Sequence, residues 1–457
     1  ARWRPPQRPR CAPQAVQVDF QQVVADYTFA PRLPEYDPNS AEPRAASVRF
    51  YGVTRAGNSV LCHVHGFKPY FYVRAPAGFT KEDCGPLRER LNARLRSESR
   101  VSKDGIVAPV VALAAVSRQS IMHYSFGAKG VFLRLVMAVP SLVATTRRVL
   151  EGGFALPRGG SHAFETFEAN WAYVMRFMVD RDIVGCNWLS LPASKYRVRP
   201  WASSAGRSVH RTGLAQLELD IHFTTLVSHA PEGEWLGMAP LRILSFDIEC
   251  AGRPGVFPDA SEDPVIQIAN YVSCQGSPVP VVKNVFTLDE CAPISGAQVI
   301  SFKSEAEMLS MWRHFVAESD CDIITGYNIN GFDLPYLINR AEALRIPSFP
   351  YLGRIKGQQT RLKDKIFQSK QAGTRESKEI NIEGRCQFDM MQVLLRDHKL
   401  SSYSLNAVCA HFLGEQKEDV HHSAISELQA GNEETRRRLA VHRLKDAYFP
   451  QRLLAQL

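Results

Sequence analysis

Short runs of β-branched and aromatic residues, separated by Gly and Pro, dominate the chain after residue 47. In order, these runs are VRFYGVT, VLCHVHGF and PYFYVRAP. Their length and composition predict antiparallel strands. The segment Lys81–Ser99 then predicts a helix, because Leu87, Leu91 and Leu95 recur at helical spacing.

The pattern changes near residue 238. Strand-like runs (LRILSFDIEC, PVIQIANYV, VPVVKNVFTL and CDIITGYNI) alternate with a helical segment, SEAEMLSMWRHFVAES, in which Met308, Met311, Trp312 and Phe315 share one face. Alternation of this kind indicates an α/β domain. We therefore expect a disordered basic arm and linker over 1–47, a strand-rich α+β domain over 48–238 and an α/β domain over 239–457. Within the first region, the arm is the Pro- and Arg-rich stretch up to about residue 15, and the linker is Pro34–Ser47.

Composition is ordinary for a globular protein, but the charge is not neutral. The 457 residues are 45% hydrophobic and 22% charged, with a net charge of +9 and a pI of about 9.0. That balance suits a polyanion, nucleic acid or a membrane surface, and equally a merely basic soluble protein. The longest apolar run, Ile106–Val116, is well short of the ~20 residues that span a bilayer, so we expect no membrane partner.

The cysteines and the first residues indicate the setting of the chain. None of the ten cysteines forms a CxxC pair, which favours reduced thiols in an intracellular compartment. The start, ARWRPPQRPR, lacks the apolar region of a signal peptide. Because it begins with Ala, we expect a fragment or a processed product.

Two acids inside a buried strand are the first candidate chemistry. In LSFDIEC, Asp247 and Glu249 are two apart and therefore share one strand face, while Phe246 and Ile248 point to the other. Burying two like charges side by side is costly, so a positive partner is expected. An exposed, purely structural pair of acids is the alternative.

Further acids occur at two helices. Asp333 opens a predicted helix after the irregular GYNING, where a helix N-cap is the alternative role. A later predicted helix has Asn432 as its N-cap. His442 and Asp446 are four apart on this helix, so they share a face, and a simple surface pair is the alternative. Together the acids form a plausible site for Mg²⁺ or Mn²⁺, since oxygen ligands favour hard metals. Two such ions would be the expected positive partner and could hydrolyse a phosphodiester.

Three motifs carry a resemblance to a known family. FDIE, the string NINGFD from Asn328 to Asp333, and Asp446 resemble the three exonuclease motifs of the family B DNA polymerases, particularly its replicative members. The longer strings ITGYNINGFDLPYLINRA and LGEQKEDVHHSAISELQAGNEETRRRLAV extend the resemblance over most of residues 48–457.

The resemblance implies a 3′→5′ proofreading exonuclease domain with an RNase H-like (DEDD-type) fold, preceded by the family's N-terminal domain. Four residues match the metal-binding catalytic acids: Asp247, Glu249, Asp333 and Asp446. Asn328 and Phe332 match residues near the 3′-terminal nucleotide of DNA.

His442 departs from the family pattern, which has Tyr at that position. A neutral imidazole could orient the attacking water, as a Tyr hydroxyl would, and could also accept its proton. We therefore expect His442 to be catalytic, in an activity that is retained but more pH-sensitive. A drifted residue that weakens the exonuclease is the alternative.

The segment Gly353–Arg385 is strongly basic, with nine Lys or Arg against four Asp or Glu. The resemblance places a hairpin there near the template–primer junction, so Arg361, Lys363 and Lys365 are expected to contact DNA phosphates. A solvated charged hairpin is the alternative.

The parent protein implied by the resemblance is a nuclear DNA-directed DNA polymerase that acts in replication with accessory subunits and a sliding clamp. Neither the acid-bearing palm strings nor the C-terminal cysteine clusters, which could hold an iron–sulfur cluster or zinc, are present in these 457 residues. This chain is therefore expected to bind a single-stranded 3′ end or a primer–template and to proofread, but not to extend primers.

Two other functions remain open from the sequence. The acid site could be inert, because of His442 or truncation, which would leave a DNA-binding scaffold. An RNA-processing nuclease fits the acids but not the longer strings. Metal-dependent trimming of single-stranded DNA would separate the enzyme from the scaffold.

Overall fold

The computed structural model describes residues 16–98, 104–121, 127–200, 210–253, 256–369, 373–416 and 424–457, and within 364–377 it describes the backbone only. The strands of the first half are β1 (Val18–Pro31), β2 (Arg44–Thr54), β3 (Ser59–His65), β4 (Tyr70–Arg74), β5 (Val110–Arg118), β6 (Gly130–Met137), β7 (Phe154–Ala155), β8 (Ser161–His162), β9 (Thr166–Phe167), β10 (Trp188–Leu191), β11 (Tyr196–Val198), β12 (Leu217–His222) and β13 (Val227–Ser228). The later strands are β14 (Arg242–Cys250), β15 (Val265–Cys274), β16 (Val282–Leu288), β17 (Gln298–Phe302), β18 (Ile323–Gly326), β19 (Arg361–Ser369), β20 (Gly373–Asn381) and β21 (Cys386–Asp389).

The α-helices are α1 (Cys84–Arg96), α2 (Ser141–Glu151), α3 (Tyr173–Asp180), α4 (Glu305–Ser319), α5 (Asp333–Ala343), α6 (Met390–Asp397), α7 (Leu405–Leu413), α8 (Ile425–Ala430) and α9 (Glu433–Gln456). Every helix in the described ranges is too short or too polar to cross a membrane.

The first half of the chain forms two main sheets. A seven-stranded sheet has the order β11-β12-β3-β2-β1-β10-β13, and a four-stranded sheet has the order β5-β6-β4-β9. The antiparallel pairing predicted for the first two runs is confirmed in β2 and β3, whereas β4 belongs to the second sheet. Helix α1 packs on that second sheet through Leu87, Leu91 and Leu95, as its spacing predicts.

The disordered arm and linker expected over 1–47 are wrong for much of that region. Residues 18–31 form β1, the longest strand of the described chain, which pairs along most of its length with β2. The run VDFQQVVADYTF has the β-branched and aromatic residues of a strand, and both Val18 and Phe20 are buried. Part of the expected linker over 34–47 is regular as well, because β2 begins at Arg44. Residues 1–15 of the expected arm lie outside the described residues.

A buried polar network lies where β3 and β12 run parallel. His63 contacts Glu218 at 3.0 Å and His65 contacts Asp220 at 2.8 Å, and Arg199 bridges the two carboxylates. Burial lowers the pKa of His63 to about 4. These histidines therefore pair with carboxylates inside the fold.

The second half is built on a six-stranded mixed sheet with the order β17-β16-β15-β14-β18-β21. Strand β14 lies near its centre, antiparallel to β15 and parallel to β18. The main core on one face includes Leu244, Phe246 and Ile248 of β14, packed with residues of α4 and α5. Helix α9 covers the opposite face. The predicted α/β class is therefore confirmed, with helices on both faces of the sheet.

The charged segment after α5 forms a two-stranded hairpin, β19 with β20, as expected. Its base is anchored by Leu362 and Ile380, which pack against the main core. Two of the nine basic residues counted in Gly353–Arg385 lie inside the fold, since Arg354 and Arg385 are buried. Arg354 pairs with Asp322 at 2.6 Å, so fewer basic side chains face solvent than the sequence count indicates.

Candidate active site: an acid cluster between the central strand and the last helix

Two of the acids lie at the carboxyl end of β14. Because β14 and β18 are parallel, their carboxyl ends meet at one edge of the sheet. The chain leaves β18 at Gly326, makes an irregular loop and enters α5 at Asp333. The backbone N–H of Ile248 donates to Asp333 Oδ1 at 3.1 Å. Topology therefore brings the Asp333 carboxylate to the backbone of β14 at the residue between Asp247 and Glu249, although Asp333 is more than 80 residues away in sequence.

Asp333 is almost fully buried and does not act as an N-cap. It is the first residue of α5, the N-cap is Phe332, and no side chain there caps the helix. Burial, followed by repulsion from Asp247, raises the pKa of Asp333 well above its ordinary value. The carboxyl group thus lies where a nearby cation would favour its charged form.

Helix α9 brings the fourth acid to the same place. Asn432 caps the helix as predicted, since its side chain accepts from the N–H groups of Glu434 and Thr435. Leu444 and Ala447 then pack against β15 and β16 in a small apolar cluster. This packing turns Asp446, only 2% exposed, towards β14.

The positive partner of the acids in this structure is an arginine. The guanidinium of Arg443 contacts Asp247 at 3.0 Å, Glu249 at 3.2 Å and Asp446 at 3.0 Å. Burial disfavours the charge of Arg443, but the three carboxylates outweigh it and raise the pKa overall. Arg443 therefore stays charged and neutralises part of the cluster.

The donor chemistry of these four carboxylates suits Mg²⁺ or Mn²⁺. Their arrangement does not, because the guanidinium stands among three of them. Within the described parts of the chain, no three His, Cys, Asp or Glu side chains are placed to hold a metal ion. The residues as folded do not fit a two-metal centre while Arg443 remains there.

His442 precedes Arg443 on α9 and is half-buried. His442 lies four residues before Asp446 on α9, and Arg443 lies three residues before Asp446. The side chains of His442 and Arg443 therefore both lie on the face of the helix that carries Asp446. The predicted catalytic position of His442 is therefore next to the acids along α9.

The loop between β18 and α5 has a defined conformation. Asn328 has a φ of +62°, in the left-handed region. The side chain of Asp389, at the end of β21, accepts from the N–H groups of Asn328 at 2.9 Å and Asn330 at 3.0 Å. A Cβ on Gly331 would lie 2.3 Å from Asn328 Oδ1, so a larger residue there would displace the Asn328 side chain.

Phe332 lies at the end of this loop, half-buried. Its ring meets Phe257 edge-on at 5.5 Å between centroids, and Phe257 is 75% exposed. An aromatic pair with one exposed ring beside an acid cluster offers a surface on which a nucleobase can stack.

The basic residues of the hairpin are placed differently. Arg361 and Lys363 are exposed on β19, and Lys363 lies opposite Glu379 in β20. Lys365 follows on the same strand, with its side chain outside the described part. The hairpin is a separate two-stranded sheet, so these residues form no part of the acid cluster itself.

Sequence reasoning missed Arg443, Asp389 and Phe257. Arg443 carried a signal, since it lies three residues before Asp446 on the same predicted helix. Asp389 carried one as well, because an Asp before an apolar helical run is a common N-cap. Nothing in the sequence near Phe257 indicated its contact with Phe332.

Comparison with known proteins agrees with the resemblance. The profile described as DNA polymerase family B, exonuclease domain, matches residues 164–408. The DNA polymerase delta catalytic subunit of Glycine max is 50% identical over 100% of this chain and 41% of its own length. The subunit of the same name from Bos taurus is 49% identical over 100% of this chain and 41% of its length.

A solved structure is similar in fold. The family B DNA polymerase of the archaeon Pyrobaculum calidifontis aligns with a TM-score of 0.60 over 96% of this chain and 45% of that one, at 24% identity. The chain thus spans less than half the length of these relatives.

Proposed function

Because the chain belongs to DNA polymerase family B through its exonuclease domain, we propose that it is the proofreading part of a replicative, delta-type DNA polymerase. In this proposal it removes nucleotides from the 3′ end of DNA. The observation that carries it is the convergence of Asp247, Glu249 and Asp446 at the edge of the sheet where Asp333 enters.

The acids have the first role in the proposal. Exonuclease domains of DNA polymerases use divalent metal generally, and the donor set favours two ions of Mg²⁺ or Mn²⁺ once Arg443 has moved away. When bound, such ions supply Lewis acidity at the scissile phosphate. The ligands would be Asp247, Glu249, Asp333 and Asp446.

The remaining residues bind and orient the DNA. Asn328 and Phe332 receive the 3′-terminal nucleotide, with the Phe332–Phe257 pair as a stacking surface. His442 orients the attacking water and holds its proton at the imidazole. Arg361, Lys363 and Lys365 contact backbone phosphates further along the DNA.

The properties of the parent protein are part of the same proposal. It would extend primers on a primer–template in the nucleus, with accessory subunits and a sliding clamp, and could carry an iron–sulfur cluster or zinc in its C-terminal cysteine clusters. The domain division at residue 238 also belongs to the proposal. The family and the identities of the relatives favour the enzyme over an inert scaffold.

The experiment uses the purified chain, Mg²⁺ and a 5′-labelled single-stranded oligonucleotide. We expect a ladder that shortens from the 3′ end and is absent in the Asp247→Ala/Glu249→Ala variant. If the intact chain binds the DNA but, like the variant, does not shorten it, the proposal is overturned.

A further inference from the structure

Arg443 of α9 lies among three carboxylates of the acid cluster. Its three guanidinium nitrogens each face a different carboxylate, at 3.0, 3.2 and 3.0 Å. A planar guanidinium suits such multiple contacts, whereas an ammonium would act as a point charge. The carboxylates therefore already have a counter-ion that the fold itself supplies.

This counter-ion competes with metal for the same oxygens. Mg²⁺ requires ligand oxygens at about 2.0–2.1 Å in near-octahedral geometry, and the guanidinium lies among the oxygens that would have to close around the ion. Its charge also repels an approaching cation. Arg443 and a metal ion therefore cannot share the three carboxylates in this arrangement.

We propose that Arg443 is an internal counter-ion that keeps the acid cluster closed to divalent metal, and that metal binds only after its guanidinium leaves. This inference rests on the proposed function, because it concerns the regulation of the same site.

The surroundings of Arg443 permit its departure. The side chain of Arg443 is 17% exposed, and its partners are partly exposed as well, Asp247 at 16% and Glu249 at 11%. Arg354, which also pairs with two acids, is 2% exposed and is held in the interior. The guanidinium of Arg443 therefore has a path to solvent, where a DNA phosphate offers it a bidentate anionic partner.

The test is a direct titration of the intact chain with Mn²⁺, followed by electron paramagnetic resonance of the free ion. We expect Arg443→Met to bind Mn²⁺ at least about tenfold more tightly than the intact chain, because a competing unit charge is removed. Arg443→Lys, which cannot bridge three carboxylates, should show a smaller gain, and it keeps the test decisive if Arg443→Met does not fold.

Two controls assign any gain to the acid cluster. Arg437 lies on the same helix and pairs with Glu434 at the surface, so Arg437→Met should bind Mn²⁺ like the intact chain. Adding Asp247→Ala to Arg443→Met should remove the gain. Equal Mn²⁺ affinity in the intact chain and both Arg443 variants would overturn the inference, as would a gain that survives Asp247→Ala.

The outcome also separates this inference from the proposed function. Tight Mn²⁺ binding by Arg443→Met without any DNA shortening would support the counter-ion role and contradict the exonuclease. Metal-dependent shortening of DNA, with no change of Mn²⁺ affinity in the Arg443 variants, would support the exonuclease and contradict the counter-ion role.

Discussion

Replacing Asp389 should disorder the loop that leads into the acid cluster. Its buried carboxylate accepts from the backbone N–H groups of Asn328 at 2.9 Å, Asn330 at 3.0 Å and Met391 at 3.1 Å. Asp389→Ala removes both acceptor oxygens and leaves these three N–H donors without their partner, in a site where Asp389 itself is 3% exposed. Such a substitution leaves Asn328 without the contact that stabilises its left-handed backbone.

The magnitude follows from these contacts. A hydrogen bond to a charged group contributes about 1.5–3 kcal/mol, and neighbouring bonds are not additive. We therefore expect Asp389→Ala to lower the free energy of unfolding by about 3–5 kcal/mol, and Asp389→Asn, which keeps one acceptor oxygen, by about half as much. The 3′ shortening rate should fall in both variants, because the Asn328–Phe332 loop positions the nucleotide.

The assay is denaturant unfolding of each variant at pH 7, with the shortening assay on the same preparations. Asp397 provides a matched control, since it lies at the exposed end of the next helix beside Arg396. Asp397→Ala should leave both measurements unchanged. An Asp389→Ala protein that unfolds within about 0.5 kcal/mol of the intact chain would refute this account of the loop.

Three further predictions concern charge and pH. His442→Tyr should flatten the pH dependence of the shortening rate near neutrality, and an unchanged rate and profile would contradict a role for the imidazole. Arg361→Gln and Lys363→Gln should each reduce the slope of the logarithm of the DNA-binding constant against the logarithm of salt concentration by about one. An unchanged slope would place these residues away from the phosphates. His63 has a folded pKa of about 4 against 6.5 unfolded, so its neutral form stabilises the fold above pH 6.5. That stability, roughly 3 kcal/mol, should be lost as pH falls from 6.5 to 4, and the loss should be smaller in His63→Gln; equal losses in urea unfolding would contradict it.

Local patterns in the sequence predicted the elements that carry the site. The alternation of LSFDIEC placed the apolar side chains of β14 in the core and Asp247 and Glu249 on the other face, as the structure has them. Asp333 was predicted at the start of a helix and Asn432 at the cap of another. These features depend on periodicity and on capping, which act within a few residues.

The features that were missed depend on contacts between distant segments. Strand β1 was included in the arm and linker over 1–47 because the Pro-rich stretches on either side concealed a run whose pairing with β2 only the fold reveals. Arg443 was missed for a similar reason. Its three carboxylates come from β14 and α9, nearly 200 residues apart in sequence, and a sequence that predicts a cation between acids does not say whether the cation is a metal or a guanidinium.

The most direct test of the central claim is a substitution that changes one side-chain atom of Asp333, the buried acid at the start of α5. Asp333→Asn keeps the shape of the side chain and the acceptor for the Ile248 N–H, but it removes the carboxylate. With 5′-labelled single-stranded DNA and Mg²⁺, the account predicts that the rate of 3′ shortening falls at least about 100-fold while the thermal unfolding of the protein is preserved. Shortening by Asp333→Asn at the rate of the intact chain would contradict the claim that this acid cluster carries the hydrolysis.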